Sequence, residues 1–424
     1  MGQSFGPGIQ YDKICVLIIE LYSLQKVLSN GLMHLAIVSP FPPSITGIGQ
    51  YGYHLTRALA NSGLFSRLTV LAGASQGQGC QTPNHLGIAE IDYCWKLDSI
   101  QARQAILSRI KQLHPDLIWF NLGASIFGKS PLFNVSGLLT PMIAARMVPT
   151  VATLHELVEL ADLRALNAPG GALAPLGARL LTRIATQADV ICLTMQHYAE
   201  WLSARGVDCA HIPIGAYHEP ELLEETDSCE LLFFTTLAPY KGLELLIEAF
   251  TRLGKETPHL CLTIAGTAHT RFPNYADELK KRYGNAQGIR WLGQVMEDDV
   301  KDLFRRSQMV VLPYTAATGS SSVLLQAATW GRTVVASDLD ETKKLAIENN
   351  LQIQFFEKNN LDSLCDSIRL LLNSPELRKT QARHNYKSIQ HLRPKATCFR
   401  YVTAFNHALE KRQSTKRIPL LELH

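Results

Sequence analysis

Short apolar runs alternate with longer stretches of helical periodicity along most of this chain. From residue 33 onward the runs are too short for helices, whereas the stretches between them repeat apolar residues every three or four positions. The runs lie at 34–39, 68–73, 116–122, 150–155 and 189–194, and again at 231–237, 260–266, 289–293, 309–314, 333–338 and 353–356. This alternation predicts an α/β protein in which helices cover parallel sheets.

An acidic, less apolar stretch at 219–230 separates the two series of runs and predicts a linker between two doubly wound domains. The domains are expected at 33–218 and 219–393, followed by a C-terminal helix and tail at 394–424. Residues 1–32 lack the order of basic, apolar and small residues of a signal peptide, and we interpret them either as an over-long start before Met33 or as a loose extension outside the fold.

Composition excludes several classes of protein. The chain has 424 residues, of which 46% are hydrophobic and 18% charged, with a formal net charge of +4. A dedicated nucleic-acid binder and a disordered chain are therefore excluded. The nine cysteines include no C-x-x-C pair and the histidines no ligand spacing. These facts predict a cytoplasmic protein without a metal site.

The first candidate site is the loop containing Gly47 and Gly49, between the first strand and the first helix. Glycines there allow backbone N–H groups to approach a phosphate at the positive end of the helix. Gly52 completes a G-x-G-x-x-G string, but no acidic residue ends the next strand, so support for a dinucleotide site is weak. A glycine-rich turn of purely structural importance is the alternative.

The second candidate is the string from Gly123 to Ser130, GASIFGKS, which matches the phosphate-binding loop of nucleotide hydrolases. Its context is poor, because Pro131, Asn134 and Gly137 follow within two turns of the expected helix. A plain connection between strand and helix is the alternative interpretation.

The strongest pattern lies in the second half of the chain. Lys241 follows a strand and opens a helix, at the edge where open α/β sheets bind ligands. Gly319, Ser320, Ser321 and Ser322 lie between another strand and a helix, where small residues supply backbone donors to an anion. The alternatives are a solvated lysine and a serine helix cap.

Together these segments resemble a known family. PFPPSITGIGQYG, TLHEL, LAPYKGLELLIEAF, LTIAG, IRWLGQV and LPYTAATGSSSVLLQAATWGRTVVASDL are similar, in this order, to segments of the retaining glycosyltransferases of family 4. The resemblance runs from about Met33 to Glu341. It implies the GT-B architecture, with two Rossmann-like domains facing a cleft and the last helix returning to the first domain.

The resemblance also implies roles for individual residues. His155 matches a histidine that contacts the transferred sugar, and Lys241 matches the lysine that stabilises the departing diphosphate. Gly47 and Gly49 would face the donor diphosphate. The segment from Gly319 to Ser322 would hold phosphate and sugar hydroxyls. Gly293 and Val295 match a segment whose backbone reads the nucleobase.

Three positions depart from the family pattern. Thr236 stands where the family usually has an arginine, and Thr318 and Gln326 stand where it usually has two glutamates. Gln326 retains hydrogen-bonding capacity toward ribose hydroxyls. Thr318 has no carboxylate, and loss of such a group near the sugar would cost transition-state stabilisation. A variant subfamily and a weakened enzyme are both compatible with this sequence.

The resulting hypothesis is a metal-independent hexosyltransferase without a cofactor, which moves a sugar from a nucleoside diphosphate to a hydroxyl of a glycan, polysaccharide or lipid-linked acceptor. Three rivals remain: a non-catalytic sugar-nucleotide-binding protein, a GT-B nucleotide-sugar epimerase, and a hydrolase using Gly123 to Ser130. Sugar, base and oligomeric state do not follow from the sequence.

Residues 156–183 are apolar and contain Arg164, Arg179 and Arg183. This segment predicts either a contact with a lipid-linked acceptor at the inner membrane face or, more simply, a helix packed on the core.

Overall fold

A computed structural model describes residues 33–42, 46–74, 85–164, 166, 171–284, 286–317 and 319–416 of the chain. Two separate sheets organise these residues, one of eight strands and one of six. The expected extension at 1–32 lies outside the described residues. We refer to the units built on the two sheets as the N-terminal and C-terminal domains.

The N-terminal domain carries the larger sheet. Its strands are β1 (Met33–Ser39), β2 (Phe65–Ala74), β3 (His85–Leu86), β4 (Ala89–Lys96), β5 (Leu117–Leu122), β6 (Thr150–Leu154), β7 (Val190–Leu193) and β8 (Cys209–His211). They are arranged in the order β3-β4-β2-β1-β5-β6-β7-β8, and β3 pairs antiparallel with β4 while the other pairs are parallel. The central strand β1 is apolar on both faces because helices cover both sides of the sheet.

The helices of this domain are α1 (Gly47–Ala60), α2 (Ala102–Leu113), α3 (Pro131–Leu138), α4 (Thr140–Ala144), α5 (Ala174–Ala185) and α6 (Gln196–Ser203). Helix α1 begins after Thr46, whose side chain accepts a hydrogen bond from the Gly49 N–H at 2.9 Å. Tyr51, Leu55 and Leu59 lie one turn apart along α1 and are buried.

The C-terminal domain repeats this arrangement on a smaller sheet. Its strands are β9 (Glu230–Phe234), β10 (Cys261–Ala265), β11 (Ile289–Gly293), β12 (Met309–Leu312), β13 (Thr333–Ser337) and β14 (Gln354–Phe356), all parallel in the order β11-β10-β9-β12-β13-β14. Its helices are α7 (Leu243–Leu253), α8 (Tyr275–Tyr283), α9 (Val300–Arg306), α10 (Ser322–Thr329), α11 (Asp340–Glu348), α12 (Leu361–Leu372) and α13 (Pro375–Ser388).

The last helix, α14 (Pro394–Lys416), packs on the N-terminal domain against α1, β6 and β7. Its Tyr401 is buried, and the Tyr401 hydroxyl is 2.7 Å from that of Tyr51 and 2.8 Å from Thr153 Oγ1. Two ion pairs fasten the end of the helix, Lys411 with Asp208 and Arg412 with Asp189. The C-terminal helix therefore completes the core of the first domain.

The predicted α/β class and two doubly wound sheets are confirmed. The sequence pattern missed β3, β4 and β8, because β4 is only half buried at the sheet margin and β8 is three residues long. The predicted boundary at 218/219 lies in the irregular segment between β8 and β9, and that at 393/394 immediately precedes α14. Among the described residues no helix has the length and hydropathy needed to cross a bilayer.

Candidate active site

A cleft of about 380 Å³ lies between the two domains. In each sheet the strand order reverses at one point, between β1 and β5 and between β9 and β12. Loops that follow strands at such points form ligand sites in open α/β sheets. Here loops from both reversal points line the same cleft. The lining includes Thr46, Gly47, Asp98, Lys129, His155, Glu156, Thr235, Thr236, Tyr240, Lys241, His269, Tyr314, Ser320, Ser321 and Ser322.

His155 forms the N-terminal wall of the cleft, one residue beyond β6. Its ring Nε2 lies 2.6 Å from Asn121 Oδ1, at the end of β5. The Asn121 Nδ2 donates to Ser39 Oγ at 2.9 Å and to the Ile48 carbonyl at 2.8 Å. The Ser39 hydroxyl in turn donates to the Pro40 carbonyl. This chain of donors orients the Asn121 amide, so Asn121 Oδ1 is the acceptor and His155 Nε2 carries the proton.

The His155 imidazole is therefore a neutral group with a fixed tautomer. Burial lowers the pKa of His155 to about 3, so the ring is uncharged at physiological pH. The ring also meets Tyr51 edge-on, with centroids 4.7 Å apart. Its second nitrogen, Nδ1, is the acceptor in this tautomer. A substrate hydroxyl could donate to it.

Lys241 provides a cation in the opposite wall. It ends a short 3-10 turn, Pro239–Lys241, which follows β9. Its Nζ lies 3.8 Å from the centre of the Tyr314 ring and 5.7 Å from that of Tyr240. Burial lowers the pKa of Lys241 to about 8, opposed by the charge of Glu156. The ammonium is thus held in a poorly hydrated position, where it would interact strongly with an anion.

The loop from Gly319 to Ser322 lies beside Lys241 and before α10. Gly319 has φ +79°, and a Cβ atom there would collide with the His155 carbonyl oxygen, so glycine is required by both conformation and space. The Ser320 hydroxyl donates to the Thr194 carbonyl of the other domain at 2.9 Å. No acceptor for the backbone N–H groups of Ser320, Ser321 and Ser322 occurs among the described residues. Together with the α10 N-terminus they present backbone donors in an arrangement that suits an anion.

The loop from Gly123 to Ser130 is built differently, although it also borders the cleft. The Phe127 N–H donates to Asn134 Oδ1 at 3.0 Å, and the Lys129 N–H donates to Asp98 Oδ1 at 2.6 Å. Ser130 caps α3 through a bond from the Leu132 N–H. Two amides that would have to face a phosphate are therefore bound to side-chain oxygens, one of them a carboxylate. The structure does not support the hydrolase alternative.

Polar contacts between the domains surround the cleft. A Glu297 carboxylate oxygen of the C-terminal domain lies 3.0 Å from His54 Nε2 on α1 and 2.7 Å from His218 Nε2 in the connecting segment. These three side chains are close enough to hold a metal ion, but Arg57 approaches His54 Nδ1 at 3.3 Å and so favours the tautomer that donates to Glu297. Glu348 contacts His211 at 2.7 Å and the Gln196 N–H at 3.1 Å. These contacts join the two domains directly.

Comparison with known proteins identifies the relatives of this chain. Residues 218–388 match the family model described as glycosyl transferases group 1. The phosphatidyl-myo-inositol mannosyltransferase of Mycolicibacterium smegmatis is 26% identical over 226 residues, which is 51% of this chain and 54% of that protein. The aligned part therefore spans about half the length of that relative.

Solved structures extend the similarity to nearly the whole chain. Sucrose-phosphate synthase from Thermosynechococcus elongatus has a TM-score of 0.69 at 14% identity, covering 89% of this chain and 99% of that one. The Anabaena protein HepE, solved in complex with UDP and glucose, has a TM-score of 0.65 at 17% identity, covering 90% of this chain and 100% of its own. Residues 218–388 are thus similar to glycosyl transferases group 1, and the chain has the GT-B fold.

Some of the predicted site residues line the cleft in this GT-B structure, and others do not. Those that line the cleft are Gly47, His155, Lys241, Ser320, Ser321 and Ser322. Gly319 joins them through its contact with His155. Gly49 is buried with its N–H bonded to Thr46, so it shapes the loop without facing the cleft.

Gly293 and Val295 lie outside this lining, at the end of the edge strand β11. The Gly293 carbonyl accepts from the Gly266 N–H at 2.7 Å. Gln326 is buried within α10 and likewise does not line the cleft. Thr318 lies outside the described residues. The proposed contacts of these four residues with a donor remain predictions.

Sequence reasoning missed several residues of the site. Asn121 is a buried amide at the end of an otherwise apolar strand, and that polar interruption was a detectable signal. Glu156 directly follows His155 and lines the cleft with it. Tyr240 and Tyr314 border the Lys241 ammonium, and no pattern in the sequence distinguishes them from core aromatics.

Proposed function

We propose that this protein is a retaining glycosyltransferase that moves a hexose from a nucleoside diphosphate sugar to a hydroxyl acceptor. One observation carries the proposal: the two walls of the cleft differ in character. One wall holds Lys241 and the backbone amides of Ser320 to Ser322, and the other holds the neutral His155. One wall suits a diphosphate, and the other suits an uncharged sugar.

In this proposal the bond between the anomeric carbon and the diphosphate oxygen breaks as Lys241 and the α10 N-terminus take up the negative charge. The acceptor oxygen bonds to the anomeric carbon on the same face, and its proton passes to the departing phosphate oxygen. His155 accepts a hydrogen bond from a sugar hydroxyl through Nδ1. Asn121 holds the His155 ring in the required orientation.

We further propose that donor binding requires no metal ion and no cofactor, since Lys241 and the backbone amides supply the positive potential. A cytoplasmic location fits a nucleoside diphosphate sugar as co-substrate.

A thermal-shift panel of UDP-, GDP-, ADP- and dTDP-sugars in the presence of EDTA tests the donor assignment. One sugar nucleotide is expected to raise the Tm of the wild type, and Lys241→Ala should abolish most of that shift. If no member raises the Tm, the assignment is wrong. A shift without turnover on any acceptor would favour the non-catalytic rival, and consumption of donor without an acceptor would favour the epimerase.

We also propose a lipid-linked acceptor, reached through peripheral contact with an anionic membrane. Support comes from α5, which packs through Ala178, Thr182 and Ala185. Leu176 and Leu180 on its outer side are 67% and 53% exposed, and Leu173, immediately before the helix, is 71% exposed. Arg179 and Arg183 lie exposed beside these leucines. An apolar stripe flanked by arginines is typical of a helix lying in a membrane interface.

The position of α5 and one relative add to this support. Helix α5 packs on the Val158–Leu160 turn, just after His155 and Glu156, so the helix lies near the cleft. The Mycolicibacterium relative is a phosphatidyl-myo-inositol mannosyltransferase.

Vesicle flotation tests the membrane contact. Vesicles containing anionic lipid are expected to carry the wild type but not the double variant Leu176→Ser and Leu180→Ser. The matched control is Ile347→Ser, which removes an apolar side chain that is 80% exposed on the other domain. Equal flotation of the double variant and the wild type would contradict a role of α5.

A further inference from the structure

The cleft contains a carboxylate that an anion-binding site does not need. Glu156 follows His155 at the carboxyl end of β6 and lines the cleft. Its backbone lies against the Gly319 loop, since a Cβ on Gly319 would be 3.7 Å from the Glu156 Cα. A Cβ on Gly123 would lie 3.4 Å from Glu156 Oε1. The Glu156 backbone therefore borders the Gly319 loop, and its carboxylate lies against the Gly123 loop.

The charge of Glu156 reaches across the cleft. Burial lowers the pKa of Lys241, whereas the negative charge of Glu156 raises it. Burial and the charge of Glu156 both raise the pKa of Tyr240. A carboxylate so near the proposed diphosphate position repels the ligand. A carboxylate at this place is suited to a part of the substrate that carries positive charge or donates a hydrogen bond.

The transferred sugar offers both features. Its hydroxyls are hydrogen-bond donors, and positive charge develops at the anomeric carbon as the bond to the diphosphate breaks. On the proposed function, the sugar lies in the cleft beside the His155 ring, and Glu156 lines the same cleft. The chain has Thr318 where a carboxylate near the sugar would be expected, so that charge has to come from another residue.

We propose that Glu156 is a catalytic residue, whose carboxylate contacts the transferred sugar, accepts a hydrogen bond from one of its hydroxyls and stabilises the positive charge at the anomeric carbon. This inference rests on the proposed glycosyl transfer. It assigns the sugar-facing carboxylate to the N-terminal domain, adjacent in sequence to His155.

Glu156→Gln is the sharpest test, because it keeps the shape and removes the charge. We expect kcat to fall about 100-fold, as for the loss of one preorganised electrostatic contact to a transition state. The Kd of the nucleoside diphosphate alone should stay unchanged or decrease, because a repulsive charge is gone. The Kd of the intact sugar nucleotide should rise relative to that of the diphosphate.

Glu159→Gln is the matched control. Glu159 lies in the turn after Glu156 and pairs with Arg179 on α5, outside the cleft lining. Its turnover should equal that of the wild type. Glu156→Asp should retain more activity than Glu156→Gln, and formate should partly restore the turnover of Glu156→Ala, since both return a carboxylate to the site.

Two results would overturn the proposal. Turnover of Glu156→Gln within threefold of the wild type would show that the carboxylate does not act on the sugar. A parallel loss of affinity for diphosphate and sugar nucleotide, without rescue by formate, would show that Glu156 acts only by supporting Lys241 or the fold. Failure of the proposed function itself looks different, because the wild type would then bind no sugar nucleotide.

Discussion

Two loops of this protein invite comparison, because each follows a buried parallel strand and combines glycine with serine. The loop at 123–130 matches a phosphate-binding string letter for letter, whereas the loop at 319–322 matches none of comparable strictness. In the first, Asn134 and Asp98 occupy two backbone amides. In the second, the amides of three successive serines have no acceptor within the described part of the chain.

The difference teaches that anion binding depends on which amides remain available, rather than on the letters of a motif. Asn134 lies beyond the string and Asp98 belongs to a different loop altogether. Nothing in the linear sequence indicates that either residue accepts hydrogen bonds from the amides of the loop at 123–130. Lys241 adds to the contrast, because it joins the serine loop from another strand end.

The largest predicted difference is in the loss of function caused by replacing Lys241 or Lys129, the lysines near these two loops. We expect Lys241→Ala to lower kcat/KM by about 100- to 1000-fold, because a cation facing the leaving diphosphate is lost. Lys129→Ala should lower donor affinity far less than Lys241→Ala does, because two amides of the loop around Lys129 are already bound to side-chain oxygens. Steady-state kinetics and donor titration on both variants check this order. The opposite order would restore the hydrolase alternative.

A smaller effect should follow from Gly319→Ala. Strain at φ +79° and the collision with the His155 carbonyl should together cost about 2 kcal/mol of donor binding, or about thirtyfold in Kd. Gly206→Ala is the control, because Gly206 has φ +76° but a Cβ there meets nothing within 4 Å. Calorimetric titration should show normal donor affinity for Gly206→Ala, with only a lowered Tm. Normal affinity of Gly319→Ala would mean that this loop does not hold the donor.

The smallest effect concerns pH. Burial lowers the pKa of Lys241 to about 8, so the ammonium loses its proton as the pH rises through that value. The Kd of a nucleoside diphosphate should therefore increase about tenfold between pH 7 and pH 9. His155 contributes no step in this range, because burial lowers its pKa to about 3. Lys241→Arg should show a flat profile, and a flat profile in the wild type would argue against Lys241 as the phosphate-binding cation.

The sequence allowed much of the fold to be predicted, for a physical reason. Strands buried on both faces, such as β1 and β5, are nearly continuous apolar runs, and these stand out against amphipathic helices such as α7. The strands β4 and β8, near the margins of the larger sheet, were not predicted. Strand β4 alternates between buried and partly exposed positions, and β8 has only three residues.

The site was predicted less completely. Lys241 and the serine loop were identified because each stands at a strand end before a helix. Gly49 bonds to Thr46 within its own turn, and Asn121 bonds to Ser39 and Ile48, which are remote in the sequence. No local sequence pattern predicts these hydrogen bonds. Glu156 was adjacent to a predicted residue, but its relation to Gly319 arises only when the two domains meet.

Because α14 returns to the N-terminal domain, that domain is built from two segments that are separated in the sequence by the C-terminal domain. A cut in the segment between β8 and β9 would leave the first fragment without Tyr401, which fills the space between Tyr51 and Thr153. The second fragment would carry α14 with its apolar side uncovered. The two fragments are thus complementary halves of one folding unit, and α14 makes the protein a natural candidate for splitting into two chains that reassemble.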